Sequence, residues 1–155
     1  MSSETIVTAL FLISAVVAAG VLISAIFPAI YRTSETFGSV SHEADVKMRT
    51  DIKIVNFFAS GNDAKIWLKN VGTARISTNE LDESDIFIGE PGDFERQALD
   101  GLYTLEGTPN NYWDPGETLN ITVTSSYLPG VSGSDVYFAI VLSNGVRRSE
   151  EFTSS

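Results

Sequence analysis

The stretch TIVTALFLISAVVAAGVLISAIFPAIY, residues 5–31, contains no charged residue and is bracketed by Glu4 and Arg32. As an α-helix its 27 residues would extend roughly 40 Å, at about 1.5 Å per residue. That exceeds the hydrocarbon core of a bilayer, which is about 30 Å thick. Apolar residues occur all round the helix rather than on one face. We therefore predict one transmembrane helix over residues 1–31, anchored by Ile6, Leu10, Ile13, Val17, Leu22, Phe27 and Ile30.

A cleaved secretory signal is the main alternative for this stretch. No Lys or Arg precedes the apolar run, and the run is longer than the apolar core of an ordinary signal peptide. Arg32 follows the span, which by the positive-inside rule favours a cytoplasmic C-terminal side. A single arginine is a weak signal for orientation, and we interpret the following domain as extracytoplasmic. We therefore expect a single pass through the cytoplasmic membrane, with the downstream domain outside the cytoplasm.

Small residues recur four positions apart inside the predicted span. The pairs include Ala15 with Ala19 and Gly20 with Ser24. This spacing lets two helix backbones approach closely, so we expect the helix to self-associate and the protein to be a homo-oligomer. Pro28 is expected to bend the helix near its end.

Helical spacing continues after the span, although the composition becomes polar. Phe37, Val40, Ala44 and Met48 lie three or four residues apart, as is typical of one helix face. We predict a helical stalk over residues 32–50, loosened around Gly38 and Ser39.

From residue 51 onward, short β patterns alternate with turn signals. In KIWLKN (65–70), Ile66 and Leu68 fall on one face and Trp67 on the other. TLNITVT (118–124) alternates in the same way, and its three apolar side chains are predicted to point inward. Further strands are predicted at 51–59, 85–89, within 94–105, at 135–142 and at 146–152. Asn144-Gly145 is expected to form a two-residue hairpin turn.

This pattern gives seven or eight strands and no helix after residue 50. We predict that residues 51–155 form an extracytoplasmic domain. The fold class is therefore an all-β immunoglobulin-like sandwich preceded by one long N-terminal transmembrane α-helix.

Composition excludes several classes of function. The chain has 20 acidic and 10 basic residues, a net charge of −10, so nucleic acid is not an expected partner. There is no cysteine, and the single histidine, His42, lies in the stalk, which rules out thiolate metal sites and a serine-hydrolase triad in the β domain. We predict no catalytic residue, no metal, no cofactor and no enzymatic activity. A tethered hydrolase or solute binder would need a deep apolar pocket with converging polar groups.

Two further kinds of surface position are predicted. Aromatic residues near turns are candidate partner contacts, because aromatics are enriched at binding centres: Trp67, Tyr112, Trp113 and Tyr127. Asn120-Ile121-Thr122 is an N-glycosylation sequon, and Asn120 is a candidate acceptor on the polar face of its strand.

Several segments, taken in order, resemble one known family. They are Met-Ser-Ser-Glu-Thr-Ile (1–6), the span ending in Pro-Ala-Ile-Tyr (28–31), Arg-Thr-Asp-Ile-Lys-Ile (49–54), Trp-Leu-Lys-Asn-Val-Gly (67–72), Trp-Asp-Pro-Gly-Glu-Thr-Leu (113–119) and Asn-Gly-Val (144–146). Together they resemble the archaellar stator family that includes FlaG and FlaF. The resemblance rests on the order of the segments rather than on one motif.

This resemblance implies a non-enzymatic part of the archaeal rotary motility machine. Its helix would be anchored in the cytoplasmic membrane, and its β domain would bind a FlaF-like partner, a surface-layer protein, or both. The competing interpretation is an archaellin or type IV pilin-like filament subunit, which also carries a long apolar N-terminal helix before a β domain. Glu4 lies where such subunits keep an acidic residue, but they normally have a basic leader before the helix, which this sequence does not show.

Overall fold

A computed structural model describes residues 2–155 of the chain; Met1 of the predicted span lies outside the described residues. The elements, in chain order, are α1 (Ser3–Arg49), β1 (Ile52–Ser60), β2 (Asp63–Asn70), β3 (Ile76–Ser77), α2 (Thr78–Asp82), β4 (Asp85–Glu90), β5 (Asp93–Ala98), β6 (Tyr103–Glu106), β7 (Tyr112–Trp113), β8 (Thr118–Thr124), β9 (Asp135–Val141) and β10 (Arg147–Thr153). The chain divides into two compact units, residues 1–42 and 43–155.

Helix α1 runs without interruption for 47 residues. The expected loosening around Gly38 and Ser39 is therefore wrong. A single glycine inside a helix costs only about 0.5–1 kcal/mol relative to Ala, and the hydroxyl of Ser39 is satisfied by donating to the carbonyl of Thr36 at 3.0 Å. Local sequence therefore permits an unbroken helix here.

Two antiparallel four-stranded sheets form the β domain. Their strand orders are β1-β2-β8-β6 and β10-β9-β4-β5, and the short strands β3 and β7 pair separately. Alternating side chains from the two sheets enclose one core. As predicted, Ile66 and Leu68 point into that core while Trp67 points outward. The predicted inward residues of β8 are likewise buried: Leu119, Ile121 and Val123.

The predicted all-β sandwich after an N-terminal apolar helix is confirmed, with one exception. A single-turn helix, α2, connects β3 to β4. Ser77 caps it, because its hydroxyl accepts the backbone N–H of Glu80 while the Glu80 carboxylate accepts the backbone N–H of Ser77.

The turn between β9 and β10 also differs from the expected two-residue hairpin. Gly145 donates its N–H to the carbonyl of Leu142 at 2.8 Å, and Leu142 donates to Val146 at 2.9 Å. Among the described residues, left-handed backbone occurs at glycines alone, and Gly145 has a φ of 79°. Asn144 is therefore not left-handed, and the connection is a three-residue loop that ends in a left-handed glycine.

Phe138 lies in the centre of the core and is fully buried, so Phe138→Ala leaves a cavity. We expect the free energy of unfolding to fall by about 3–5 kcal/mol. Guanidinium unfolding of the full chain in detergent, followed by tryptophan fluorescence, measures this change because both tryptophans lie in the β domain. Phe58→Ala, at a side chain that is 47% exposed, is the control and should change stability much less. Equal losses for the two variants would contradict the assigned core.

Candidate functional site: the joint at the end of the long helix

The last turn of α1 ends against a loop of the β domain. The terminal carbonyl groups of a helix have no partner inside the helix. Here the carbonyl of Arg49 accepts the backbone N–H groups of Thr73 (2.9 Å) and Ala74 (3.1 Å). The carbonyl of Val46 accepts both the N–H (2.9 Å) and the hydroxyl (2.8 Å) of Thr50. The loop after β2 thus caps the helix C-terminus.

Gly72 permits this contact because it has no side chain. A Cβ at position 72 would lie 2.4 Å from the carbonyl oxygen of Arg49 and 2.5 Å from the backbone nitrogen of Asp51. Carbon and oxygen atoms that are not bonded do not approach so closely. The N–H groups of Val71 and Gly72 both donate to the carbonyl of Asp51 at 2.9 Å, which holds the two backbone segments together.

Asn70 fixes the shape of the capping loop. It is fully buried, and its side-chain amide donates to the carbonyls of Ala74 (2.9 Å) and Trp113 (3.1 Å). Its side-chain oxygen accepts the N–H of Gly72 at 3.1 Å. All its side-chain polar atoms are therefore used, and a buried amide satisfied in this way specifies one loop conformation.

Asn144 and Arg148 hold the other side of the same joint. Asn144 donates to the hydroxyl of Thr50 at 3.1 Å. The guanidinium of Arg148 donates to the carbonyl of Ile52 at 3.1 Å and forms an ion pair with Asp51 at 2.5 Å. Only two residues separate α1 from β1, and both are held by these bonds. Residues 43–49 consequently belong to the same compact unit as the β domain.

An ion pair flanks the joint. Arg75 contacts the carboxylate of Asp114 at 2.8 Å, and its guanidinium lies 4.3 Å from the centre of the Tyr112 ring. Hydrogen bonds from Asn110 and then from Arg75 hold the pKa of the Asp114 carboxyl below its usual value.

The structure separates the four candidate contact residues. Tyr112 and Tyr127 are 39% and 43% exposed, and Trp67 is half-buried on the outer face of β2. Trp113 is fully buried, and its indole N–H donates to the carbonyl of Glu117 at 2.9 Å, so the expectation that it is an exposed contact is wrong. The polar end of the indole finds its partner inside the domain.

Asn120 lies on the outer side of β8 and is half-buried, with a side-chain oxygen that is enclosed and has no hydrogen-bond partner. The predicted anchor and helix-packing residues all lie on α1, and each is exposed. Within residues 2–155, no group of three or more His, Asp or Glu side chains is placed to hold a metal ion.

Within the described residues, α1 is the one helix long and apolar enough to cross a membrane. None of its most apolar 18-residue segment is buried within the protein. A continuous apolar surface of this size is not stable in water. Burial in lipid or against other helices is the remaining way to cover it. The helix therefore supports single-pass membrane anchoring.

The sequence model of archaeal-type flagellin matches residues 2–152. The chain belongs to the archaeal-type flagellin family. An uncharacterized protein of Archaeoglobus fulgidus is 30% identical over 161 residues, which cover 99% of each chain. The match spans both the helix and the β domain.

Solved structures of archaellum components are similar to this family member. The archaellum periplasmic stator protein FlaG from Sulfolobus acidocaldarius is 25% identical, with a TM-score of 0.54 over 66% of this chain and 99% of that one. A chain of the archaellum periplasmic stator complex of FlaF and FlaG from the same organism is 24% identical, with a TM-score of 0.53 over 65% of this chain and 87% of that one. The archaeal flagellum of Methanospirillum hungatei shares the fold over 100% of this chain and 94% of that one, with a TM-score of 0.71 and 17% identity. The predicted resemblance to the archaellar stator family is confirmed, and this chain is an archaellum-related protein whose relatives are structural components rather than enzymes.

Substituting Gly72 tests the joint of this archaellum-related protein. In Gly72→Ala the new methyl group displaces the loop from the helix end, so the amides of Thr73 and Ala74 lose the Arg49 carbonyl as acceptor. We expect faster hydrogen exchange at these amides and at the last turn of α1, with unchanged exchange in β8 and β9. Gly130→Ala is the matched control, because no atom lies within 4 Å of a Cβ there. Unchanged protection at residues 73 and 74 in Gly72→Ala would contradict the assigned contact.

Proposed function

We propose that this protein is a stator-type component of the archaellum motor. The observation that carries the proposal is the similarity of its β domain to FlaG, at 25% identity over 99% of that chain. In this role α1 is anchored in the cytoplasmic membrane and the β domain stands outside the cytoplasm. There it binds a FlaF-like partner, further copies of itself and, directly or through that partner, a surface-layer protein.

The joint supports this proposal in mechanical terms. A stationary motor part must pass a sideways load from its anchor to its binding domain. A flexible linker would absorb that load as chain bending. Here Thr50 and Asp51 are held on both sides, by the capping loop and by Asn144 and Arg148, so a load reaching residues 43–49 passes to the β sheets through hydrogen bonds.

A filament subunit is the second candidate function. The observation in its favour is that the likeness to the archaeal flagellum extends over 100% of this chain, helix included, whereas the likeness to FlaG covers 66%. A helix that is apolar all round suits a bundle of its own kind as well as lipid. At 17% identity this likeness carries the fold alone, so the stator role remains our first proposal.

Cell fractionation distinguishes the two functions. In the source organism, an epitope-tagged copy of the stator is expected in the membrane fraction and absent from filaments sheared from the cell surface. A strain lacking the gene should still assemble filaments but should lose swimming, because nothing resists the motor's torque. The archaellin of the same strain, detected in the sheared fraction, is the control. Recovery of this chain as the repeating unit of sheared filaments, with loss of filaments in the deletion strain, would replace the stator role by the subunit role.

A further inference from the structure

One tryptophan occupies the centre of the outer side of the β1-β2-β8-β6 sheet. In the strand register Trp67 of β2 is opposite Asn56 of β1 and Asn120 of β8, and Asn120 is in turn opposite Thr104 of β6. These side chains form one row across all four strands. Phe58, which is 47% exposed, is the diagonal neighbour of Trp67, and such neighbours are about 7–8 Å apart. We call these five residues the Trp67 face.

The two asparagines of this row have side-chain amides that the protein does not fully use. The oxygen of Asn56 accepts the backbone N–H of Phe57 at 3.0 Å, while within residues 2–155 its amide nitrogen donates to no acceptor. In Asn120 the side-chain oxygen is enclosed and has no partner. Since the last torsion of an Asn side chain has a broad energy minimum, rotation presents either end of the Asn120 amide at the surface. The row thus offers both donors and an acceptor to a ligand.

Two exposed lysines flank Trp67 along β2. Lys65 and Lys69 each lie two residues from it on the same side of the strand, which is about 7 Å at 3.4 Å per residue. The four ion pairs of residues 2–155 all use arginine, and none includes a lysine. Two acidic residues share this side of the sheet at greater distance: Asp63 begins β2, and Glu106 lies two strands away on β6. The charge nearest the indole ring is therefore positive.

A third lysine adds to this charge. Lys53 of β1 is directly opposite Lys69, and like charges in that arrangement destabilise a sheet. A bound anion would relieve this repulsion. The surface therefore fits a ligand that carries negative charge beside a part that packs on an aromatic ring.

We propose that the Trp67 face binds an anionic saccharide, of the kind that contains uronic acids. One face of a pyranose ring consists of C–H groups with partial positive charge, which pack on the electron-rich face of an aromatic ring. The sugar hydroxyls both donate and accept hydrogen bonds, which matches the amides of the row. The carboxylate forms charge-assisted hydrogen bonds with the flanking lysines. The diagonal placement of Trp67 and Phe58 gives two successive sugar units one aromatic side chain each.

The protected edge of β1 argues against an acidic peptide as the ligand. An extended peptide binds a sheet by pairing with open backbone groups at its edge. A bulge interrupts β1, and the N–H of Phe57 is covered by the side-chain oxygen of Asn56 at 3.0 Å. The carbonyl of Ile52 accepts from Arg148, and that of Ala59 accepts from the backbone N–H of the last residue at 2.8 Å. These groups occupy positions that an incoming strand would need, whereas a saccharide uses side chains on the face of the sheet.

Calorimetric titration of the full chain tests the proposal, in an uncharged detergent that has no sugar headgroup. The probes are oligogalacturonate, which is anionic, and its methyl ester, in which the same sugar units carry no charge. We expect the acid to bind about ten-fold more tightly than the ester, because charge-assisted hydrogen bonds are roughly twice as strong as neutral ones. Raising the salt concentration should weaken binding of the acid but not of the ester.

Two altered chains separate the contribution of the charges from that of the ring. Lys65→Gln/Lys69→Gln should lower the affinity for the acid about ten-fold and leave that for the ester unchanged. Trp67→Ala should lower the affinity for both probes about ten-fold, and circular dichroism checks that the sandwich is still folded. Lys47→Gln, at the one lysine outside β1 and β2, is the matched control and should bind both probes like the unaltered chain. Because both lysines of the double variant are exposed, it tests the site even if Trp67→Ala does not fold.

Three results would overturn the proposal. The first is no binding of oligogalacturonate at millimolar concentration, and the second is equal affinity for it in the unaltered chain and in Lys65→Gln/Lys69→Gln. The third is binding of polyglutamate as tight as that of oligogalacturonate with the same number of charges, since the face would then recognise charge and not a saccharide.

The saccharide site rests on the proposed function for its role in the cell, where it would attach the β domain to an anionic glycan outside the cytoplasm. Saccharide binding is measured on the purified protein, and the stator role is measured by fractionation of cells. Each can therefore fail without the other.

Discussion

The close approach of the Gly72 backbone to the carbonyl of Arg49 determines how the last turn of α1 is joined to the β domain. A hydrogen atom is the largest group that fits at that position, and the space it leaves allows two backbone N–H groups to cap the helix. These hydrogen bonds in turn position Thr50 and Asp51, the two residues that precede β1. Because Asn70 is buried with all its side-chain polar atoms satisfied, the loop has one conformation available to it. The helix end and the sandwich are in this way parts of one packed unit.

The sequence predicts those parts of the fold that depend on local periodicity. The alternation in β2 and β8 correctly separates Ile66 and Leu68 from Trp67, because a strand exposes successive side chains to opposite sides. The apolar run correctly indicates a long helix. Periodicity does not predict helix α2, because five residues are too few to show a helical period, although Ser77-Thr-Asn-Glu80 carries the capping-box pattern.

The joint and the burial of Trp113 depend on contacts between distant residues, which periodicity does not encode. The sequence around Asn70-Val71-Gly72 has no pattern that predicts a contact between this loop and the end of α1. Trp113 precedes Asp-Pro-Gly, a turn signal that favours exposure. In the structure its ring is fully buried in the core, and its indole N–H donates to the carbonyl of Glu117. The sequence does not predict the small sheet of β3 and β7 for the same reason, because its two strands have two residues each and are distant in the chain. Such features become visible only when segments remote in sequence are placed side by side.

The protected edge of β1 has a consequence for a protein confined to two dimensions. Anchoring in a membrane raises the local concentration of a domain, and open strand edges then invite irreversible cross-β stacking and strand exchange between neighbours. The longest strand of this domain is also the one whose edge is interrupted by a bulge and covered by Asn56, Arg148 and the C-terminus. At high local concentration, this edge therefore offers a neighbouring copy fewer open backbone groups for strand addition than an unprotected edge would.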